Sequence, residues 1–260
     1  MEQHANGKVL VERDGPVTIV TVNRPDVRNA CDRETVQTLH DVFHAFEQDD
    51  EQRVGVLTGA AGGGFCAGAD LAEVAAGVSN EFCWAGKDRG AMRRRMNKPF
   101  IAAVEGHAVA AGMALAVWCD MRVASESAVF GVFCRRFGGP MPNGTTVRLP
   151  RIVGESRALD ILMTGRPIDA EEAMRIGLAD RLVPEGQALT AAKELAHTLA
   201  GFPQLAMLSD RNSASTQWDY PEEEAIDREI AGSMPAMRGG FQSGAGRFTD
   251  GGVGRHGKFE

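Results

Sequence analysis

The 260-residue chain has no Cys-x-x-Cys pair, no excess of basic residues and no apolar run long enough to cross a membrane. Its five cysteines, Cys31, Cys66, Cys83, Cys119 and Cys134, are odd in number and widely spaced. Neither a disulfide framework nor a zinc site is expected, and the thiols read as reduced. A net charge of −7 argues against general nucleic-acid binding. The N-terminus, Met-Glu-Gln-His-Ala-Asn-Gly-Lys, lacks a basic region followed by an apolar one, so a cytoplasmic protein is expected. The absence of a G-x-S-x-G elbow counts against an α/β-hydrolase triad. There is no internal repeat and no clear linker. At 43% hydrophobic and 24% charged, the composition supports a sizeable core.

The chain is organised around Phe100 to Asp120. Phe100 to Val104 is apolar and of strand length, and Gly106 breaks it where the backbone must turn. From Ala108 to Cys119 every residue is apolar or glycine, which predicts a helix buried on all sides. A buried helix directly after a strand points its free N–H groups and the positive end of its dipole into the crevice beyond that strand. Ala110, Ala111 and Gly112 carry almost no side chain there, so a ligand oxygen can approach the backbone. The same small residues also suit tight packing on a sheet.

Val9 to Glu12 and Val17 to Asn23 flank Asp14-Gly15 and read as a hairpin. Asp32 is a candidate N-cap for a helix whose Val36, Leu39, Phe43 and Phe46 share one face. Arg53 to Thr58 is a strand that runs into the glycine-rich stretch Gly59 to Asp70, with a helix expected near Leu71. Later strands fall at 122–124 and 129–132, and helices at 156–163, 170–176 and 189–200. Sequence turns helical beyond Pro203, so a core over 1–200 and a helical, glycine-rich region over 201–260 are expected.

Three short patterns are weighed and set aside. Gly62-x-Gly64-x-x-Ala67 follows a strand as a dinucleotide fingerprint does, but the acidic partner at the right distance, Glu81, does not end a strand. His40 and His44 stand at i, i+4 without a third ligand, so surface histidines are preferred to a metal site. Arg93, Arg94, Arg95 and Lys98 read first as a solvated basic face, with phosphate contact as the alternative. The two small-residue turns, Gly64 to Asp70 and Gly106 to Gly112, matter more as a pair. If their strands are neighbours, two backbone N–H groups can converge on one oxygen and stabilise an enolate or tetrahedral anion.

Arg24-Pro-Asp-Val-Arg-Asn-Ala30, Phe65-Cys-Ala-Gly-Ala-Asp-Leu71, Pro99 to Gly106, Arg148-Leu-Pro-Arg-Ile-Val-Gly154 and Thr164-Gly-Arg-Pro-Ile-Asp-Ala170 are present together. With Gly177-Leu and Val183-Pro184, this set resembles the crotonase, or enoyl-CoA hydratase/isomerase, family over nearly the whole chain. The resemblance implies an α/β fold, a spiral of ββα units with a C-terminal helical oligomerisation region, assembled as a homotrimer or dimer of trimers. It implies an acyl-CoA thioester substrate, with coenzyme A entering only as part of it and no separate cofactor, metal, nucleic acid or membrane. By motif match, the N–H groups of Ala67 and Ala111 form the oxyanion hole. Arg28, Asn29, Ala30, Ala67, Gly68, Ala69, Asp70 and Gly112 line the coenzyme A path.

The chain departs from the family's hydratases where their two glutamates stand. The matching positions are Ala114 and Cys134, and neither holds a water as a carboxylate would. In the later loop, where some family members carry an aspartate, this chain has Asn143, which orients but takes no proton. Cys134, His107, Glu73 and Asn143 are the candidate replacements. Arg135 and Arg136 beside Cys134 suggest a lowered thiol pKa; a buried inert thiol is the alternative.

Overall fold

A computed structural model describes residues 1–78, 92 and 95–251, with the backbone alone at 250 and 251. It separates into two compact units, residues 1–200 and 201–260. Glu81, Lys87, Arg89, Arg93 and Arg94 lie outside the described residues.

The first unit is built on a seven-stranded sheet. Strands β1 (Glu2–His4), β2 (Val9–Asp14) and β3 (Val17–Val22) run antiparallel, and the second pair is the Asp14-Gly15 hairpin with Val9 opposite Val22. From β3 the sheet turns parallel through β4 (Val54–Gly59), β5 (Phe100–Val104), β7 (Met121–Ser125) and β10 (Arg181–Val183). A second sheet joins β6 (His107–Val109), β8 (Val129–Gly131) and β9 (Ile168–Asp169).

Side-chain alternation divides the core into two layers. Val17, Ile19, Val54, Val56, Ile101 and Ala103 face Ala188, Ala192, Leu195 and Ala196 of α7 (Ala188–Gly201). Phe100, Ala102 and Val104 point the other way, toward α1 (Arg33–Gln48) and α3 (Ala111–Trp118). Asp32 caps α1 by accepting the Thr35 N–H, and Val36, Leu39, Phe43 and Phe46 are all buried. Phe43 stacks on Trp118 at 4.8 Å and meets Phe100 edge-on at 5.0 Å, joining helix, helix and strand. Gly55 makes room for this cluster, because a Cβ there would stand 2.3 Å from the Phe100 ring.

Two boundaries differ from the sequence reading. The apolar run from Ala108 to Cys119 is not one helix: its first residues finish β6, and α3 begins at Ala111 with all eight residues buried. Uniform apolarity hides a change of backbone state inside a buried run. Helix α4 (Thr145–Val153) precedes α5 (Glu155–Thr164) and was concealed by its internal Pro150. Helix α2 (Leu71–Ala75) and helix α6 (Ala170–Arg175) lie where expected.

The second unit holds α8 (Gln204–Thr216), α9 (Glu222–Ala236) and α10 (Gln242–Gly251). Leu205, Ile230, Met237 and Phe241 are exposed. Among the described residues no helix is long and apolar enough to cross a membrane.

Replacing Phe43 by Ala removes the ring shared by Trp118 and Phe100 and should cost about 3–5 kcal/mol. Urea denaturation of the full chain measures it; a loss below about 1 kcal/mol would mean the cluster is not a main tie.

Candidate active site

Strands β4 and β5 are parallel neighbours, with Leu57 beside Ala102, so both small-residue turns leave the same edge of the sheet. The turns then knit together. The Cys66 N–H donates to the His107 carbonyl at 2.9 Å, and the Val109 N–H to the Cys66 carbonyl at 3.0 Å. On the other side, the Cys31 N–H donates to the Gly68 carbonyl at 2.8 Å and the Asp70 N–H to the Cys31 carbonyl at 3.0 Å. Segments 28–31, 66–70 and 107–112 therefore run side by side as a short irregular ladder.

Contact between the turns is backbone to backbone. A Cβ on Gly112 would stand 1.9 Å from the Cys66 oxygen, and one on Gly68 would meet the Ala111 nitrogen at 3.0 Å. Gly68 also holds φ at +104°, outside the range of most side chains. Ala110 has φ +51° and ψ −122°, and its N–H donates to the Gly131 carbonyl at 2.9 Å. Such a conformation in a residue with a Cβ costs on the order of 1–3 kcal/mol and marks a place where geometry outranks comfort. It turns the chain sharply into α3 and leaves the Ala111 N–H at the helix start.

Accounting for each N–H corrects the sequence reading. The Ala67 N–H donates to the Arg28 carbonyl at 3.0 Å, and the Gly68 N–H to the Cys66 sulfur at 3.3 Å. Among the described residues, no acceptor meets the N–H of Ala69 or of Ala111. Ala67 is thus spent on holding the Arg28 turn. Which peptide of the turn is left without an acceptor depends on the ladder with segment 28–31.

A family model described as enoyl-CoA hydratase/isomerase matches residues 12–248. The chain belongs to this family, within the crotonase superfamily. It is 40% identical over 229 residues to the enoyl-CoA hydratase EchA19 of Mycobacterium tuberculosis, covering 85% of this chain and 86% of that one. It is 36% identical to the short-chain-enoyl-CoA hydratase of Clostridium acetobutylicum, covering 86% and 88%. Among solved structures, an enoyl-CoA hydratase from Mycobacterium tuberculosis superposes with a TM-score of 0.87 at 30% identity, covering 94% of this chain and 96% of that one. The fold is accordingly that of crotonase-fold enoyl-CoA hydratases.

In this crotonase the segment expected to line the coenzyme A path is largely engaged in holding itself. Asn29 is fully buried: its Oδ1 accepts the Arg24 N–H at 2.9 Å, and its Nδ2 donates to the carbonyls of Ala60 at 3.0 Å and Gly64 at 2.6 Å. Glycine at 63 is required because a Cβ would meet that Nδ2 at 2.5 Å; of the two glycines in the nucleotide-like spacing, Gly64 holds φ +73° with a Cβ position 3.0 Å from the His107 nitrogen, and Gly62 holds φ +85° in open space. Asp70 caps α2 through the Ala72 N–H and pairs with Arg24 at 2.9 Å. Ala30 is buried, Arg28 is exposed with φ +55°, and Ala67 and Ala69 are partly exposed. Arg95 pairs with Asp120 and Lys98 donates to the Phe46 and Asp49 carbonyls, so these two members of the basic cluster have structural partners.

The acid/base candidates fare unequally. Ala114 is fully buried in α3. Cys134 is half-buried, 3.2 Å from the Met141 sulfur, and burial pushes its thiol up although Arg135 pulls the other way. The expected lowering fails because burial outweighs the pull of Arg135; the guanidinium groups of Arg135 and Arg136 also donate to the Leu162 and Gly165 carbonyls. His107 is exposed with its ring 6.5 Å from that of Phe133. Glu73 accepts the Arg33 N–H at 2.8 Å at the start of α1. Asn143 is buried, and among the described residues neither its Oδ1 nor the Oγ1 of Thr145 has a hydrogen-bond partner. His40 and His44 lie on α1, where His44 is exposed.

Asp32 ties this region to the sheet through Lys8 at 2.7 Å, Arg24 at 3.2 Å and the Thr35 hydroxyl. Burial alone would raise its carboxyl, but Lys8, Thr35 and Arg24 together hold it below the ordinary value. A lowered carboxyl contributes stability above its unfolded pKa and loses it as pH falls through the folded one. The stability advantage of wild type over Asp32→Asn, read from urea midpoints, should therefore shrink between about pH 6 and about pH 3. A constant difference across that range would show that the charge contributes nothing.

Proposed function

We propose that the protein binds an acyl-CoA thioester and stabilises its enolate between the N–H groups of Ala69 and Ala111. The observation that carries this reading is the pair of acceptor-free N–H groups on two turns locked together through Gly68 and Gly112. A thioester oxygen accepting both bonds gains charge as the α-proton leaves. Donors already fixed in place need no reorganisation to meet that charge. Coenzyme A takes part as the substrate's carrier, with no further cofactor.

The reaction that follows the enolate is not efficient water addition. Ala114 and Cys134 stand where the hydratases' glutamates act, and a thiol raised by burial is a poor base at neutral pH. Isomerisation, decarboxylation, C–C cleavage or thioester hydrolysis fits better, with Asn143 orienting the acyl group and Cys134 or His107 as the remaining proton carriers. The same absence favours a second reading, a catalytically silent acyl-CoA-binding protein.

Mass spectrometry of crotonyl-CoA after incubation in heavy water separates these readings. Deuterium exchange without water addition is expected; water addition at a useful rate would overturn the non-hydratase reading, and an unchanged spectrum across several acyl groups would leave the silent binder. Ala111→Pro removes the N–H at the first helical position, where proline is tolerated. It should lower exchange by about 100-fold to 1,000-fold with the helix retained by circular dichroism. An unchanged rate would sink the oxyanion assignment.

The exposed apolar residues of α8 and α9 and the segment after them fit a subunit contact, so a homotrimer or a dimer of trimers is proposed. Light scattering of the purified chain should give three or six times the chain mass; a monomer would refute it.

A further inference from the structure

Cys31 and Cys66 take no part in the chemistry above, yet their sulfurs lie 3.9 Å apart and neither residue has exposed surface. Cys66 begins the 66–70 segment, and Cys31 lies on the neighbouring 28–31 segment. Cys66 is clamped to β6 through its N–H and its carbonyl, and Cys31 is clamped to Gly68 and Asp70 in the same way. The Gly68 N–H donates to the Cys66 sulfur at 3.3 Å. Both thiols belong to the buried core, and their contact lies beside the turn that carries the Ala69 N–H.

We propose that Cys31 and Cys66 form an oxidation site, at which a peroxide closes a disulfide across the Ala67–Ala69 turn and weakens thioester binding. Cys66 reacts first, because the Cys31 S–H and the Gly68 N–H both favour its thiolate and hold its thiol below the ordinary value. Its sulfur attacks one peroxide oxygen: an S–O bond forms, the O–O bond breaks, and hydroxide leaves to become water. The Cys31 sulfur then attacks the Cys66 sulfenic acid, the S–O bond breaks, and hydroxide departs with the Cys31 proton as a second water. Two thiols and one peroxide give one disulfide and two waters, the two sulfurs supplying both electrons. Ala67, next in the chain to Cys66, is partly exposed, so a small oxidant has a short way in.

Closure carries the sulfurs from 3.9 Å to about 2.05 Å. Both flanking backbones are hydrogen-bonded into the ladder, so the shift falls on the residues between them. The Gly68 N–H loses the sulfur it now meets at 3.3 Å, and the Ala69 N–H that follows it loses its aim. The effect on ligand rests on the acyl-CoA reading; formation of the disulfide does not.

The test uses the full chain, reduced, desalted and treated with hydrogen peroxide, then blocked and digested without reductant. The probe ligand is acetonyl-CoA, whose ketone occupies an oxyanion hole but cannot release coenzyme A. We expect a linked Cys31–Cys66 peptide, binding of acetonyl-CoA weakened by about 10-fold or more, and recovery with dithiothreitol. Cys31→Ala, with Cys31→Val as a second variant should the first fold poorly, should keep its affinity through peroxide treatment. Absence of the linked peptide, a linked peptide with unchanged affinity, or equal loss of affinity in the Cys31 variants would overturn the proposal. Failure of the reduced protein to bind acetonyl-CoA would count against the acyl-CoA reading alone, since the linked peptide is read independently of ligand.

Discussion

The structure depends on a contact in which no side chain takes part: the Cα of Gly112 against the carbonyl of Cys66. A methyl group there would stand 1.9 Å from the oxygen, and no rotamer change could relieve a clash with backbone. That approach sets the distance between the two turns, and with it everything built on them. The Val109 N–H reaches the same Cys66 carbonyl, Gly68 lies against the Ala111 nitrogen, and Ala110 accepts a strained conformation to let α3 begin at that place. Strain of this kind persists only where the surroundings overdetermine it. Here the Gly131 carbonyl, β6 and the buried body of α3 supply that determination.

Around this contact the polar groups work as struts. Asn29 uses three of its four hydrogen-bonding positions to join the 24–29 turn to the chain leaving β4. Arg24 reaches the Ala30 carbonyl, Asp70 and Asp32, and so ties the start of α1 to the start of α2. Buried, paired and hydrogen-bonded charge of this sort is costly to break on one side only. The region where a thioester is proposed to bind is therefore rigid through its backbone and its supports. Adaptability toward different acyl groups must come from elsewhere in the chain.

Much of this was legible before any coordinates. The apolar run Phe100 to Val104 reads as a strand, and Val36, Leu39, Phe43 and Phe46 as one face of α1, which is its buried face. The paired small-residue turns pointed to converging N–H groups. What sequence could not resolve was which N–H is free: that choice belongs to hydrogen bonds between residues about forty positions apart, Ala67 with Arg28 and Cys31 with Gly68. The same limit explains Asn29, read as lining a ligand path and found spent on three backbone groups. It explains Cys134 as well, where the adjacent arginines promised a lowered thiol but burial outweighs the pull of Arg135. Local sequence reports charge and size; it does not report direction.

The division between turns and side chains has a consequence for the chemistry. The proposed oxyanion clamp is made of peptide N–H groups and so tolerates almost any exchange of side chains, provided that Gly68 and Gly112 keep the approach open. The acid/base groups have no such protection, because each is a single side chain on an otherwise tolerant frame: Ala114 fills its place in α3 without a void demanding a carboxylate, and Cys134 packs against Met141. Absence of carboxylates at these two positions therefore leaves the fold and the proposed anion site standing. What changes is the fate of the charge once formed, since a clamp lowers the barrier to an enolate but only a positioned proton donor or acceptor decides where that enolate goes. In this chain the proton carriers proposed for that step are Cys134 and His107, with Asn143, whose Oδ1 has no partner among the described residues, proposed to orient the acyl group.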